Sequence, residues 1–264
     1  MLLLLPPTSL AALPRHDPVP GGVAVIDLGP EDHPPAVRYG EKRVLVLPRD
    51  GRWYAVVGLG LQEKPGPRTL EVRVEGGTPR RVTFEIGHRE YETQRLTLKN
   101  RRMVNPYKKD LDRIARERKR ILSALRHWQE RPLSDLTFFR PAEGPLSSRF
   151  GLRRYFNDQP RKPHSGLDIA APRGTPVVAP LDGTVIEAGD FFFNGRTLFL
   201  DHGQGLVTMY CHLEEMSVRP GDRVRAGEPI GRVGSSGRVT GPHLHWSVSL
   251  NGVMVNPELF LDAE

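Results

Sequence analysis

The chain has 264 residues, 38% of them hydrophobic and 7% aromatic, with 27 glycines, 25 prolines and a formal net charge of +7. That length holds one large domain or two ordinary ones, and the turn-rich, aromatic-poor composition favours a mainly β protein over a helical bundle. The single cysteine, Cys211, excludes an internal disulfide and a cysteine-built zinc knuckle, while the basic balance suggests an anionic partner such as nucleic acid, a cell wall or an acidic membrane.

The chain opens with "MLLLLPPTSLAALPRHDPVPGG". Its apolar stretch is too short to span a bilayer and is broken by Pro6 and Pro7. Ser9 and Ala11 are spaced as an export-cleavage site would require, although the positive n-region is missing. Residues 1–21 are therefore read as a signal-like or disordered tail, and the chain as exported. From 22 to about 100, short apolar runs alternate with turns: "VAVIDL", "RVLVLP", "WYAVVGL" and "LEVRVEGGTPRRVTFEI". The last is a hairpin pattern turning at Glu75, Gly76, Gly77 and Thr78. This spacing predicts a β-sandwich-like accessory domain of immunoglobulin type. His33 and His88 stand alone in it, and a lone histidine is more often structural or solvated than a ligand.

Residues 101–132 change period. Leu111, Ile114, Ile121, Leu122, Leu125 and Trp128 fall on one helical face, with Asn105 as the expected cap and Pro106 in the first turn. Lys and Arg crowd the other face, but Asp110, Asp112 and Glu117 interleave with them, which points to local ion pairs instead of a phosphate-binding stripe. The segment is read as a linker helix packed between two β domains. From 133 to 264 strands and tight turns return, with Asp182-Gly183 and Asn251-Gly252 as hairpin signals. The expected product is a compact antiparallel sheet or flattened barrel.

That last region holds five of the nine histidines. In "GPHLHWSV", His243 and His245 share one face if the run is a strand, while Leu244 and Trp246 pack behind. In "KPHSGLDIAAP", His164 and Asp168 are four residues apart, roughly 13 Å in a straight strand. The chain must bend if both serve one ion, and Gly166 permits a bend. In "MYCHLEE", alternation sets Met209 and Cys211 opposite Tyr210 and His212. His202, in "LDHGQG", reads as a structural turn residue. The other groups make four imidazoles and a carboxylate. Two nitrogens and one carboxylate oxygen, with a fourth position for water, form a common catalytic zinc set, and the cation makes water a usable nucleophile near neutral pH. Two histidines remain for proton handling and carbonyl polarisation.

"HSGLDIA", "YCHL" and "GPHLHW", in this order, resemble the M23 peptidases, the lysostaphin-like or LytM-type zinc endopeptidases of bacterial cell walls. The resemblance covers about 145 to 260 and implies an antiparallel-sheet peptidase domain. It implies one zinc per chain held by His164, Asp168 and His245, with His212 and His243 as the catalytic pair. It also implies peptidoglycan as substrate, through a D-Ala to meso-diaminopimelate cross-link or, second, a glycine bridge, and a periplasmic or cell-wall location. Asn157 and Thr240 are candidate substrate contacts. Non-catalytic LytM-type relatives that bind and activate an amidase lose ligands, whereas all five positions are present here. "GDRVRAGEPIGRVG" also resembles a lipoyl or biotinyl carrier, but no lysine follows Lys162 to bear the cofactor. Nothing reads as a base-contacting motif, so no nucleic acid is expected. The accessory domain is a spacer, a dock for a cell-wall regulator, or a restraint on the cleft.

Overall fold

The computed structural model describes residues 12–133 and 135–261. The expected cleavage site at Ser9 and Ala11 lies outside them. Residues 12–21, assigned above to a tail, are tied down. The Arg15 N–H donates to the Leu259 carbonyl at 2.8 Å, Asp17 bridges to Val23, and Val19 is buried.

The accessory region consists of β1 (Val23–Gly29), β2 (Ala36–Tyr39), β3 (Lys42–Arg43), β4 (Leu45–Arg49), β5 (Arg52–Gly58), β6 (Gly66–Arg73) and β7 (Arg80–Ile86). They form two antiparallel sheets, ordered β1-β5-β4 and β3-β2-β6-β7. Leu70, Val72, Phe84 and Ile86 alternate inward from the second sheet and meet Ala24, Ala55 and Val57 of the first. The first sheet is covered on both sides, because Val23, Leu45, Leu47 and Val56 join the C-terminal core. This explains why "WYAVVGL" reads as a continuous apolar run while "LEVRVE" alternates.

Next, β8 (Thr93–Leu96) leaves the sandwich altogether. It pairs in parallel with a strand of the C-terminal region, described below as β10. The helix α1 (Lys108–Leu125) starts later than expected. Tyr107, not Asn105, is its N-cap: the Asp110 carboxylate accepts the Tyr107 N–H at 3.0 Å, and the Asp110 N–H donates to the Tyr107 carbonyl at 2.9 Å. An acid there suits the positive end of the helix dipole. Ile121, Ala124 and Leu125 pack on Phe191, Phe199, Val207, Met209 and Cys211. On the charged side Arg120 pairs with Glu187 at 2.7 Å and Arg113 with Glu117 at 2.5 Å.

The C-terminal region contains β9 (Leu146–Ser148), β10 (Arg153–Phe156), β11 (Gln159–Pro160), β12 (Leu167–Ala170), β13 (Pro176–Val178), β14 (Gly183–Phe191), β15 (Gly195–Gly203), β16 (Leu206–Met216), β17 (Arg223–Val224), β18 (Pro229–Val233), β19 (His243–Leu250) and β20 (Val253–Val255). Its main path runs β17-β14-β15-β16-β19-β12-β9, and β10 joins β11 to β8 in a separate small sheet. Asn251 and Gly252, at φ 40° and 77°, turn β19 into β20 as a two-residue hairpin. The Asn251 amide also holds both backbone groups of Gly58, at 2.7 and 3.0 Å, which fastens the sandwich to the large sheet. Asp182-Gly183 is not a hairpin: β13 pairs with β18 and β14 with β15, and the Asp182 carboxylate caps the Ala226 N–H instead.

The large sheet has two unlike faces at β19. Leu244, Trp246 and Val248 enter the apolar core. His243, His245, Ser247 and Ser249 project to the opposite side, where the Ser249 hydroxyl donates to the Leu125 carbonyl at the end of α1. The helix therefore covers the same face that carries the histidines.

Candidate active site

Pairing sets the site. Asp168 on β12 lies directly across the ladder from His245 on β19, and Cys211 on β16 lies across from His245 on its other side. His164 arrives from the loop before β12, its backbone fixed to Leu152 and Gly151. Gly166 makes the approach possible for a different reason than a bend: a Cβ there would lie 2.3 Å from the Trp246 carbonyl and 2.4 Å from the Ser247 hydroxyl. As a result, His164 Nε2, His245 Nδ1 and Asp168 Oδ1 converge. The two nitrogens are 3.0 Å apart, and the oxygen is 3.0 Å from the first and 2.7 Å from the second.

The remaining bonds fix what those atoms offer. His164 Nδ1 is 2.7 Å from the Arg149 carbonyl, which only accepts, so the ring proton sits on Nδ1 and Nε2 presents a lone pair. In the neutral ring, that lone pair faces a carboxylate oxygen. Such a contact calls for a cation between them. The donor set fits zinc: two borderline nitrogens and one hard oxygen, all buried, at separations of 2.7 to 3.0 Å, shorter than the roughly 3.4 Å that tetrahedral bonds of about 2.0–2.1 Å would give. Protonation agrees. Burial pushes His245 down to about 4, against the pull of Asp168. Burial would raise Asp168, but its close contacts with His164 and His245 outweigh it and hold the carboxyl well below its usual range. Neutral rings and an ionised acid are the forms a metal requires.

His212 needs one further device. Simple alternation along β16 sends it to the core side with Tyr210, opposite His245. The chain corrects this by placing His212 at φ 66°, a left-handed conformation uncommon outside glycine, within an irregular stretch of the ladder. Its ring then lies 4.9 Å from that of His243 and 6.0 Å from that of His245, centroid to centroid. The alternation expected for "MYCHLEE" thus holds for Tyr210 and fails for His212. His212 Nδ1 faces the Ser236 carbonyl at 2.8 Å and His243 Nδ1 the Gly241 carbonyl at 2.9 Å. Both rings therefore carry Nδ1–H and present Nε2 unprotonated as a base, that of His243 lying 3.9 Å from Asp168 Oδ1. Burial first, then the charges of His243 and His245, holds His212 well below its ordinary value.

Three residues that sequence reasoning missed complete the arrangement. Arg154 donates to Asp168 Oδ2 at 2.7 Å and to the Ser148 hydroxyl at 3.0 Å, while its Nε reaches Gln94 Oε1 at 3.1 Å. Gln94 belongs to β8, outside the stretch that carries the motifs. The arginine pair in "FGLRRYF" was a visible signal; nothing in the sequence pointed to Gln94 or Ser148. Asn157 is not free to meet a substrate, because its side-chain amide is committed to both backbone groups of Leu98, at 2.7 and 3.1 Å. Thr240 is exposed on the turn before His243. His202 is structural, as expected, but sits within β15 and not in a turn. It is fully buried between the Asp182 carbonyl and the Thr208 hydroxyl, both at 2.8 Å. Cys211 is buried, with its thiol pushed up to about 12 by burial, and is no nucleophile.

A cavity of about 620 Å³ adjoins the cluster, lined by His164, His212 and His245 on one side and by Ile114, Ile121 and Leu122 of α1 on the other. A larger one, about 760 Å³, lies between the sandwich and the segment after α1, near Trp53 and Trp128. Neither a histidine nor a pair of carboxylates is among its lining residues, and the histidine cluster adjoins the smaller cavity.

A buried two-histidine, one-aspartate cluster flanked by two basic imidazoles, on an antiparallel sheet, defines a metallopeptidase-type centre. The family described as Peptidase family M23 matches residues 162–257, and its N-terminal domain family matches residues 16–89. A solved chain from Pseudomonas aeruginosa, assigned in its description to peptidase M23, is 46% identical with a TM-score of 0.79, covering 93% of this chain and 95% of that one. The chain belongs to the M23 peptidase family. It is also similar to the DD-carboxypeptidase/endopeptidase Mpg of Neisseria meningitidis, 45% identical over 112 residues, and to the peptidoglycan DD-endopeptidase ShyC of Vibrio cholerae, 42% identical over 113 residues. Each match takes in 42% of this chain and 26% of the relative, so the shared stretch is about a quarter of those proteins.

Proposed function

We propose that the protein is a zinc-dependent endopeptidase that hydrolyses peptide cross-links of peptidoglycan, with the D-Ala to meso-diaminopimelate bond as its target. The observation that carries this reading is the convergence of His164 Nε2, Asp168 Oδ1 and His245 Nδ1 beside two imidazoles whose Nε2 atoms are unprotonated. His164, Asp168 and His245 would hold the metal, which when bound supplies Lewis acidity toward a peptide carbonyl and acidifies water. The chain's own groups do the rest. Arg154 holds the second oxygen of Asp168, leaving the first directed at the centre. His212 and His243 enter as bases at Nε2, held in that tautomer by backbone carbonyls. The ring that takes the proton becomes an imidazolium and passes it to the leaving amine; its neighbour would serve the developing oxyanion in the form protonated at Nε2 as well.

The names of the relatives support a cell-wall substrate and hence action outside the cytoplasm. Among the described residues no helix is long and apolar enough to cross a membrane. The net positive charge suits a polyanionic wall. An amidase-activating role without catalysis is disfavoured by the retention of all five histidine and aspartate groups in one cluster. The sandwich is read as a spacer, a dock for a cell-wall regulator or a restraint on the cleft. Mass analysis of fragments released from purified sacculi tests the reading: cross-linked dimers should fall to monomers with a new free amine, and a chelator should stop it. Release of glycan-free peptides, or activity indifferent to chelation, would overturn it.

A further inference from the structure

The loop between β18 and β19 does more than lead into His243. Its Ser236 carbonyl holds His212, and a little further on Arg238 lays its guanidinium over the rings of Phe193, 4.5 Å to the centroid, and Phe156, 4.8 Å. The Arg238 backbone is fixed as well, its N–H donating to the Phe193 carbonyl at 2.8 Å. The side chain lines the same cavity as His164, His212 and His245. Two more guanidiniums lie close enough to repel it, those of Arg154 and Arg161.

These three cations are not equivalent. Arg154 is matched by Asp168. Arg161 is satisfied by the carbonyls of Pro160 and Val104 and by the Gln159 side chain. Arg238 has aromatic rings and like charges around it, and among the described residues no carboxylate pairs with it. Burial, then Arg154 and Arg161, push it down to about 10, the direction expected of a cation short of a counter-charge. Glu117 is the one other acid at the cavity, and both its oxygens are taken, by Arg113 and by the Phe192 N–H. A half-desolvated planar fork, rigidly stacked and left without its anion, is suited to receive a carboxylate on two parallel hydrogen bonds.

We propose that Arg238 is a specificity-determining residue of the cleft, reading a free carboxylate carried by the substrate next to the scissile bond. This rests on the endopeptidase reading above and deepens it. In a D-Ala to meso-diaminopimelate link, the released amine sits on a carbon that bears an unblocked carboxylate. In a glycine bridge both neighbours of the cleaved bond are amides, and there is nothing for Arg238 to bind. Arg238 thus separates the two cross-link chemistries that the histidine cluster alone leaves equivalent.

The test uses the full chain with zinc and a matched pair of cross-linked peptide dimers, differing only in whether that carboxylate is free or amidated. The wild type should favour the free form in kcat/KM by on the order of tenfold or more, as a charged hydrogen-bonded contact implies. Arg238→Gln should bring the ratio of the two rates close to one, and Arg238→Lys should keep part of it. Equal wild-type rates, or an Arg238→Gln variant that slows both dimers in the same proportion, would overturn the proposal and show a role only in holding the loop of His212. A second arm measures calorimetric binding of the diaminopimelate-containing product, free or amidated, to wild type and Arg238→Gln. Carboxylate-dependent binding lost in the variant, without cleavage of either dimer, would keep the anion site and remove the endopeptidase reading. Cleavage with no carboxylate preference in either arm would do the reverse, and neither cleavage nor binding would remove both.

Discussion

The sandwich and the large sheet are built from similar alternating strands, yet they bury different things. Between β1 and β7 every buried side chain in the sandwich core is apolar. The large sheet buries His164, Asp168, Asp201, His202, His212 and His245. Burying ionisable groups is costly unless each finds a partner, so a region that concentrates them is a candidate functional site, apart from members such as His202 that are paired internally. The contrast extends within the sheet. His202 and His245 are both deeply buried, but His202 has a hydroxyl and a carbonyl at its two nitrogens, whereas His245 has one nitrogen turned into the ligand cluster.

Breaking the cluster should give the largest effect. His164→Ala or Asp168→Ala should lower bound zinc from one per chain to none and reduce sacculus turnover by on the order of a thousandfold or more; metal analysis and dimer cleavage report both. His212→Ala and His243→Ala sharpen the division inside the site. Each should keep stoichiometric zinc while losing about 10²–10⁴-fold in kcat, the usual contribution of a proton-transfer group; a fully active variant would remove that residue from the mechanism. Leu70→Ala tests the other region. It empties a fully buried position of the sandwich and should cost about 2–5 kcal/mol by denaturant titration, with zinc content retained below the transition.

A smaller effect concerns pH. His202 is held down at about 4 by burial. Its neutral form is the folded form, so the stability it confers is complete above the unfolded value near 6.5 and drains away as pH falls toward 4, by roughly 3 kcal/mol in total. Melting curves between pH 7 and 4 should therefore be shallower in His202→Gln than in wild type; identical slopes would contradict the assignment. The smallest change is expected for Gln94→Ala. It removes a support one step behind Arg154 and should weaken zinc binding by less than about tenfold, measured by competition with a chelator.

What could be read in the sequence was whatever depends on period and on residue type. The histidines of "GPHLHW" share a face because β19 is a regular strand, and His164 with Asp168 meet it because pairing sets Asp168 opposite His245. The helix in the middle followed from its spacing, although its start did not: Asp110, three residues into the segment, captured the cap that Asn105 was expected to provide. The unreadable features are those where one residue breaks the local rule or where distant segments pair. His212 reaches the site only through a positive φ, which no alternation pattern encodes. Gln94 reaches Arg154 only because β8 pairs with β10, a contact between stretches with no common motif. Asn157 shows the converse. Its place beside the ligand loop looked like a cleft mouth, and its amide instead clamps Leu98.

The excursion of β8 bears on how the enzyme can be dissected. A fragment beginning after the helix would keep every motif and lose the neighbour of β10, exposing an unsatisfied strand edge beside Asp168 and inviting self-association. Poor behaviour of such a piece would report the missing strand, and only a cut that spares Thr93–Leu96 can separate recruitment from restraint.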